Sequence, residues 1–316
     1  MVRAIGHGRP ALTAITCLCA LVGAPSVVAA QSGPAPAQEA APAAPEDSTA
    51  AAEPFPIWSA SASAGTSARD AGTDGSWQAL ALNRQIGRGY VRASAMHYSG
   101  TLTQADTALP SDYYIGTLAA GGNFDNWVGD AWGSYGQQLY GKITTSTGSR
   151  QSTGSRSSDY YAFGADFGRI FTLAPDLFLT PTIAASYAQG KLLRAAPSGS
   201  SKPDVETDEP TLTLSTTVRL DHAFGAHDNH YIGLLASRHW SSNGLSRVAI
   251  RASQADDGTT SFTIGSDHQP DGWFEFGATG SMQVTRRLYI DLYATRSFGM
   301  ASGNTTSAGL TLRRSF

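Results

Sequence analysis

The chain has 316 residues, 22 basic and 25 acidic side chains, a net charge of −3 and two cysteines. That balance lacks the positive surplus of a nucleic-acid binder, and it leaves no thiols for a disulfide scaffold or a sulfur-ligated metal centre once the N-terminal segment is set aside. No stretch after Ala30 approaches the roughly 18 continuous apolar residues of a membrane helix, so any crossing of a bilayer falls to strands.

In chain order, Arg3 and Arg9 precede a largely apolar run from Ala11 to Val22, and Val28-Ala29-Ala30 offers small residues before Gln31. This predicts a removed secretory signal over residues 1–30. Cys17 and Cys19 both lie inside it, preceded by Thr16 and Leu18 where a lipoprotein would carry a small residue. Removing it shifts the formal charge from −3 to −5. Residues 31–55 are mostly Ala, Pro, Glu and Ser, with prolines at 34, 36, 42, 45 and 54. Such a composition cannot bury a core and predicts a disordered periplasmic tail, with a lumen plug as the alternative.

From residue 56 the pattern is of strands. The N-terminal half predicts them at 56–66, 76–86, 88–99, 112–121 and 126–146, with tight turns near Gly87 and over Gly121–Asp125. Loops are expected at 67–75 and 100–111, and TGSRQSTGSRSS over 147–158 reads as a flexible loop tip. The C-terminal half predicts strands at 159–171, 176–190, 210–224, 229–242, 272–284, 287–298 and 304–316. Tight turns at Thr172–Pro175, Gly225–Asp228 and Thr285-Arg286 alternate with long polar loops at 191–209 and 243–271. Twelve strands and an alternation of short and long connectors fit bacterial barrels, which put short turns in the periplasm and long loops outside.

Side-chain parity carries the argument, because successive residues of a strand face opposite ways. Phe274, Phe276, Ala278, Met282 and Val284 share one face against Glu275, Thr279, Ser281 and Gln283. Leu288, Ile290, Leu292 and Ala294 likewise oppose Asp291 and Thr295, and Ala308, Leu310, Leu312 and Phe316 oppose Ser307, Thr311, Arg313 and Ser315. Leu212, Leu214, Val218 and Leu220 oppose Thr213, Ser215, Arg219 and Asp221, while Tyr161, Phe163, Ala165 and Phe167 oppose Asp166. Arg296 and Arg314 are the exceptions, near strand ends. A soluble sandwich also alternates, but strands of this length exceed the ordinary ~5–6 residues of soluble sheets. Trp58, Tyr113, Tyr114, Trp127, Tyr160, Tyr161, Tyr231, Trp240, Trp273 and Tyr289 near predicted strand ends suit interfacial girdles. The predicted fold is all-β: a transmembrane up-and-down antiparallel barrel of about twelve strands over 56–316, in the cell outer membrane.

Within residues 159–316, the run Asp159-Tyr160-Tyr161-Ala162-Phe163-Gly164, then Leu179-Thr180-Pro181, Arg238-His239-Trp240, Leu288-Tyr289-Ile290 and the closing Leu310-Thr311-Leu312 with Phe316 resemble the autotransporter translocator barrel. The resemblance implies a twelve-stranded barrel that accompanies export of an N-terminal passenger. Only about 25 residues separate the predicted signal from the first strand, so no passenger is expected there, and the resemblance implies architecture more than activity.

Three functional classes follow. A pore or transport barrel would use the inward charges Asp166, Arg219, Asp221, Glu275, Asp291 and Arg313, which could equally be an ion-paired lumen that holds strands in register. A lipid hydrolase would use a His-x-Ser pair, His97 with Ser99 or His239 with Ser241. Both resemble the arrangement of outer-membrane phospholipase and lipid A deacylase barrels, with serine as nucleophile, histidine as base and a third polar residue orienting it. Parity puts His97 outside with Val91, Ala93 and Ala95, and His239 inside with Gly233 and Ser237; no third member is identifiable from sequence, and Ser242-Asn243-Gly244 is displaced by one residue from the phospholipase pattern. A surface-binding barrel would act through the 243–271 loop, with Arg247, Arg251, Asp256, Asp257, Asp267 and His268 and a β-like run Thr260–Ile264; Asp256-Asp257-Gly258 lacks calcium-loop spacing and reads as a turn. No cofactor or metal is expected. The expected partners are outer-membrane lipids, lipopolysaccharide and the barrel-assembly machinery, with no nucleic acid and any export partner unidentified.

Overall fold

The computed structural model describes residues 57–70, 74–104, 107–145, 148–196, 203–225, 230–254 and 260–316, without the side chains of 103, 104, 248, 250–254 and 260–265. The expected signal, the Pro-rich tail and the Asp256-Asp257-Gly258 turn lie outside the described residues, as does the Arg251 side chain.

Strand segments follow one another as β1 (Trp58–Arg69), β2 (Gly75–Ile86), β3 (Gly89–Gln104), β4 (Thr107–Phe124), β5 (Trp127–Tyr140), β6 (Ile143–Thr145), β7 (Gly148–Arg150), β8 (Ser157–Arg169), β9 (Phe171–Ala174), β10 (Leu177–Arg194), β11 (Val205–Phe224), β12 (His230–Gln254), β13 (Thr260–Thr285), β14 (Leu288–Phe298) and β15 (Thr305–Ser315). β8 and β9 both pair with β10 and are one stave interrupted at Ile170, while β6 and β7 form a small hairpin that touches the wall where Thr144 meets Ala108. The remainder makes twelve antiparallel staves in which each pairs with its neighbours in sequence. β1 pairs with β15 from Ser59↔Ser315 to Arg69↔Thr305, closing the sheet. Closure leaves no unpaired edge, which is the condition for a β-structure to sit in hydrocarbon.

The faces segregate as the alternation predicts. Leu80, Leu118, Phe163, Ile183, Leu234, Phe276, Leu292 and Leu310 all lie exposed on the outer wall. A soluble protein would bury such a belt; exposed apolar area on this scale marks a surface made for lipid. Only half of the expected girdle aromatics belong to it. Tyr114, Tyr161 and Trp240 face out, but Tyr113, Tyr160, Tyr231, Trp273 and Tyr289 have inward parity with the polar residues of their strands. Position near a strand end does not choose a face, whereas one step along the strand does.

The inward rings line the lumen and lie along its wall. Trp77 stacks on Tyr293 (centroids 6.2 Å apart) and Tyr113 meets both Tyr98 and Tyr160 edge-on. Glycines make the room: a Cβ on Gly65 would come within 2.6 Å of the Trp77 ring, and one on Gly309 within 2.5 Å of Tyr293. These rings bury apolar area where aliphatic cross-strand pairs are missing.

One end of the barrel is made of tight turns and the other is ragged. Asp125 and Asn126 both adopt positive φ (54° and 68°), the geometry of a two-residue type I′ hairpin, so this turn sits one step beyond the predicted Gly121–Asp125. The turns at Pro175-Asp176 and Arg286-Arg287 are likewise later than predicted.

The larger correction concerns the long loops. β10 and β11 stay paired to Arg194↔Val205 and β12 and β13 to Gln254↔Thr260, so both ends of 191–209 and most of 243–271 are strand. Strands also extend into both shorter predicted loops, 67–75 and 100–111, while the strand expected over 126–146 ends at Tyr140. Nor is 147–158 a free tip. Gly148–Arg150 pairs with Ile143–Thr145, and Arg150 forks onto Asp204 with bonds of 2.6 and 2.7 Å. Asp204 also accepts the Thr153 and Ala196 N–H groups. Leu109, Tyr140, Ile143 and Leu193 pack into an apolar cluster at this loop end.

Candidate functional site

The two His-x-Ser pairs lie on opposite faces, as parity required. His97 and Ser99 point outward from β3 beside the exposed Val91, Ala93 and Ala95. The ladder then supplies what the sequence did not. Ser99 stands in register with Ser76 of β2 and Asp112 of β4, and His97 with Gln78 and Tyr114. His97 Nε2 lies 3.1 Å from Asp112 Oδ1, and the imidazole stacks on Tyr114 at 4.7 Å. Both partners stay accessible, the His97 side chain 37% and Asp112 45% exposed. A histidine gripped by a carboxylate, with a hydroxyl on the same face two residues along, has the composition of a nucleophile–base–orienter set.

His239 and Ser241 point into the lumen from β12 and are buried. The same cross-strand relation recurs, with Ser241 in register with Asp271 of β13, but Asp271 spends its carboxylate on the N–H groups of Gly272 and Ala301. His239 lies flat on Trp273 at 5.1 Å, and its Nε2 has no hydrogen-bond partner among the described residues. Ser241 Oγ accepts the Asn243 N–H. An imidazole packed as an aromatic plate, away from the available acid, is a structural element.

The six predicted lumen charges all face inward. Arg219 Nε donates to Asp221 at 2.7 Å and its guanidinium lies over Tyr231. Arg313 reaches Asp291 at 3.1 and 3.2 Å, Ser281 donates to the same carboxylate at 2.5 Å, and Tyr289 lies beneath the guanidinium. Asp166 faces Asp130 across the β5–β8 ladder, where the Tyr90 hydroxyl donates to Asp130 and Arg92 lies 3.9 Å from it. Glu275 stands between Ser237 and Ser297 in register and has no ion-pair partner among the described residues.

Sequence reasoning missed a polar knot at the loop end. Glu209, 1% exposed, accepts bonds from Arg194 (3.1 Å), Thr207 (2.8 Å), Ser246 (3.0 Å), Ser266 (2.5 Å) and Asn243 (3.2 Å), with His268 Nε2 at 2.9 Å. It ties β10, β11, β12 and β13 together above the barrel. Of the residues expected to form a binding loop, His268 is part of this knot, whereas Asp267 is exposed. The Asp204 clamp belongs to the same rim. Burial alone would raise the Asp204 carboxyl, but the Arg150 fork and the Ala196 and Thr153 N–H groups outweigh it and hold that carboxyl well below the usual carboxylate range. Among the described residues no cluster of His, Cys, Asp and Glu could hold a metal.

Set against known proteins, residues 84–295 match the family model described as the autotransporter β-domain. No curated protein sequence matches the chain. Among solved structures, the chain is similar to the β-domain of the Bordetella autotransporter BrkA (TM-score 0.59, 15% identity, covering 83% of this chain and 100% of that one). It is also similar to the translocator domain of the autotransporter NalP from Neisseria meningitidis (TM-score 0.59, 13% identity, 82% and 88%) and to the COG4313 outer membrane channel from Pseudomonas putida F1 (TM-score 0.52, 8% identity, 83% and 96%). At these identities the structural likeness speaks to fold alone. With a family match over about two-thirds of its length, a closed twelve-stave wall and an apolar outer belt, the chain belongs to the autotransporter β-domain family of outer-membrane barrels.

Proposed function

We propose that this protein is a transport barrel of the outer membrane, with its turn end in the periplasm, its ragged end outside and its lumen as the path. The observation that carries this reading is the inner wall: from β11 to β15 it is mostly polar, with an apolar patch around Trp77, Ala79, Met96 and Tyr98 on the facing side, and its charges are matched in pairs such as Arg219–Asp221 and Asp291–Arg313. Paired charges line a wet path without the cost of unpaired charge near hydrocarbon. Glu275 has no ion pair among the described residues, and Asp166 faces Asp130 with Arg92 beside that pair, an acidic surplus that gives the path a preference for cations. Insertion by the barrel-assembly machinery, beside lipopolysaccharide, belongs to the same proposal.

Single-channel recording of the purified, refolded protein in planar bilayers tests it. Discrete conductance with cation preference, reduced in Glu275→Gln, is the expected result. Silence from folded preparations would remove the transport reading and leave a structural barrel.

A further inference from the structure

We propose that the outer wall carries a second, separate activity: hydrolysis of an ester-linked acyl chain of a membrane lipid, with Ser99 as nucleophile, His97 as base and Asp112 as the residue that positions His97. The inference stands on the site's place as much as on its members. These side chains face away from the lumen, near the loop end, where the polar residues Ser76, Gln78, Ser99 and Asp112 meet the lipid-facing belt. A substrate reaching them must come from the lipid side.

The wall beneath them is shaped for a chain. One step toward the turn end, the cross-strand row reads Leu80, Ala95, Gly116, Tyr135. Leu80 (66% exposed) and Tyr135 (65%) stand proud on either side of the two small residues. A Cβ on Gly116 would meet nothing closer than a carbonyl at 3.8 Å, so the floor there is open. The next row, Leu82, Ala93, Leu118, continues the same low track beside tall neighbours. An acyl chain laid along β3 over Ala93 and Ala95, beside Gly116, would place its ester carbonyl beside His97 and Ser99.

Asp112 faces Ser99 across the ladder and lies 3.1 Å from His97 Nε2, which leaves Nδ1 as the nitrogen to take the Ser99 proton once substrate brings the two together. Such bonds commonly tighten only when substrate is bound. Ser99 Oγ attacks the acyl carbonyl carbon as its proton passes to His97. The tetrahedral intermediate collapses, the ester C–O bond breaks, and the alcohol leaves with the proton from His97. Water then gives a proton to His97 and attacks the acyl-serine; the fatty acid departs and the proton returns to Ser99. Water is the only co-reactant.

The test uses the refolded full-length barrel in micelles, with folding followed by its heat-dependent gel mobility. A long-chain alkyl fluorophosphonate is the covalent probe, and phosphatidylethanolamine vesicles and purified lipopolysaccharide are separate substrate arms. Labelling should map to the Ser99 peptide and fatty acid should be released from one arm, which names the lipid. Ser99→Ala and His97→Ala should fall to background while Ser241→Ala does not. Asp112→Asn should lower kcat by roughly 10²–10⁴-fold with KM unchanged, as expected when a base loses its orienting acid, and Asp112→Glu should restore part of it. Gly116→Leu, which fills the floor, should shift preference to shorter chains. A folded barrel that neither takes the probe at Ser99 nor releases fatty acid from either arm overturns the proposal, as does labelling confined to another serine. Conductance should be the same in wild type and Ser99→Ala, so the two functions fail independently.

Discussion

His97-Tyr98-Ser99 and His239-Trp240-Ser241 share a spacing, a strand context and a cross-strand aspartate opposite the serine. They differ in the face they occupy and in what the aspartate does. On the outer wall Asp112 takes His97; in the lumen Asp271 caps two backbone N–H groups, and His239 becomes a flat partner for Trp273. A motif therefore has chemistry only after the ladder has assigned its neighbours. The difference at Asp271 has a backbone cause. Pro270 cannot donate to the ladder, and β12 and β13 lose register between Ser241↔Asp271 and Leu245↔Gln269, so Asp271 sits at the edge of a bulge, where its carboxylate serves local amides.

The comparison can be broken most sharply by exchanging the roles of the two acids. Asp112→Asn should cost roughly 10²–10⁴-fold in ester hydrolysis, whereas Asp271→Asn should leave hydrolysis unchanged and instead loosen the 299–304 loop in hydrogen exchange. Equal losses in both would make facing irrelevant. The next largest effect lies at the rim. Glu209→Ala strands the buried Arg194 guanidinium, and the stability loss in denaturant titration should be about 3–5 kcal/mol. A change under about 1 kcal/mol would mean the knot is solvated.

Acid should release the Arg150–Asp204 clamp. Because the folded-state carboxyl is depressed, its contribution is complete above the unfolded aspartate value of about 3.9 and is lost as pH falls below that. Protection factors of the Thr153 and Ala196 amides, taken relative to intrinsic exchange at each pH, should therefore fall at low pH, and Asp204→Asn should remove that dependence. Smallest is His239→Phe, which keeps the plate on Trp273 and removes an imidazole nitrogen without a partner; stability should change by no more than about 1 kcal/mol, and a large loss would reveal an unseen hydrogen bond.

Facing was legible in the sequence because it depends only on period two: Glu275, Asp291 and Arg313 are inward, and His97 outward, as the alternation implies. Register was not, because it depends on where each turn closes. The predicted strand ends leave Ser99 and Asp112 at the two edges of a twelve-residue loop, which does not fix pairing; the ladder that continues to Gln104↔Thr107 does. The rim was missed for the same reason. Above the lipid belt a strand needs no aliphatic face, and Val205, Thr207 and Glu209 alternate with Glu206 and Asp208 without any apolar row to betray it. That continued period of two among polar residues was the available signal.

The whole account rests on a closed wall with lipid on one side and the lumen on the other. The chain has no cysteine after Cys19, so single cysteines at positions 113–120 of β4 can carry a bimane label in vesicles containing brominated lipid. Quenching should alternate, strong at 114, 116, 118 and 120 and weak at 113, 115, 117 and 119. Uniform quenching, or none at either parity, would contradict it.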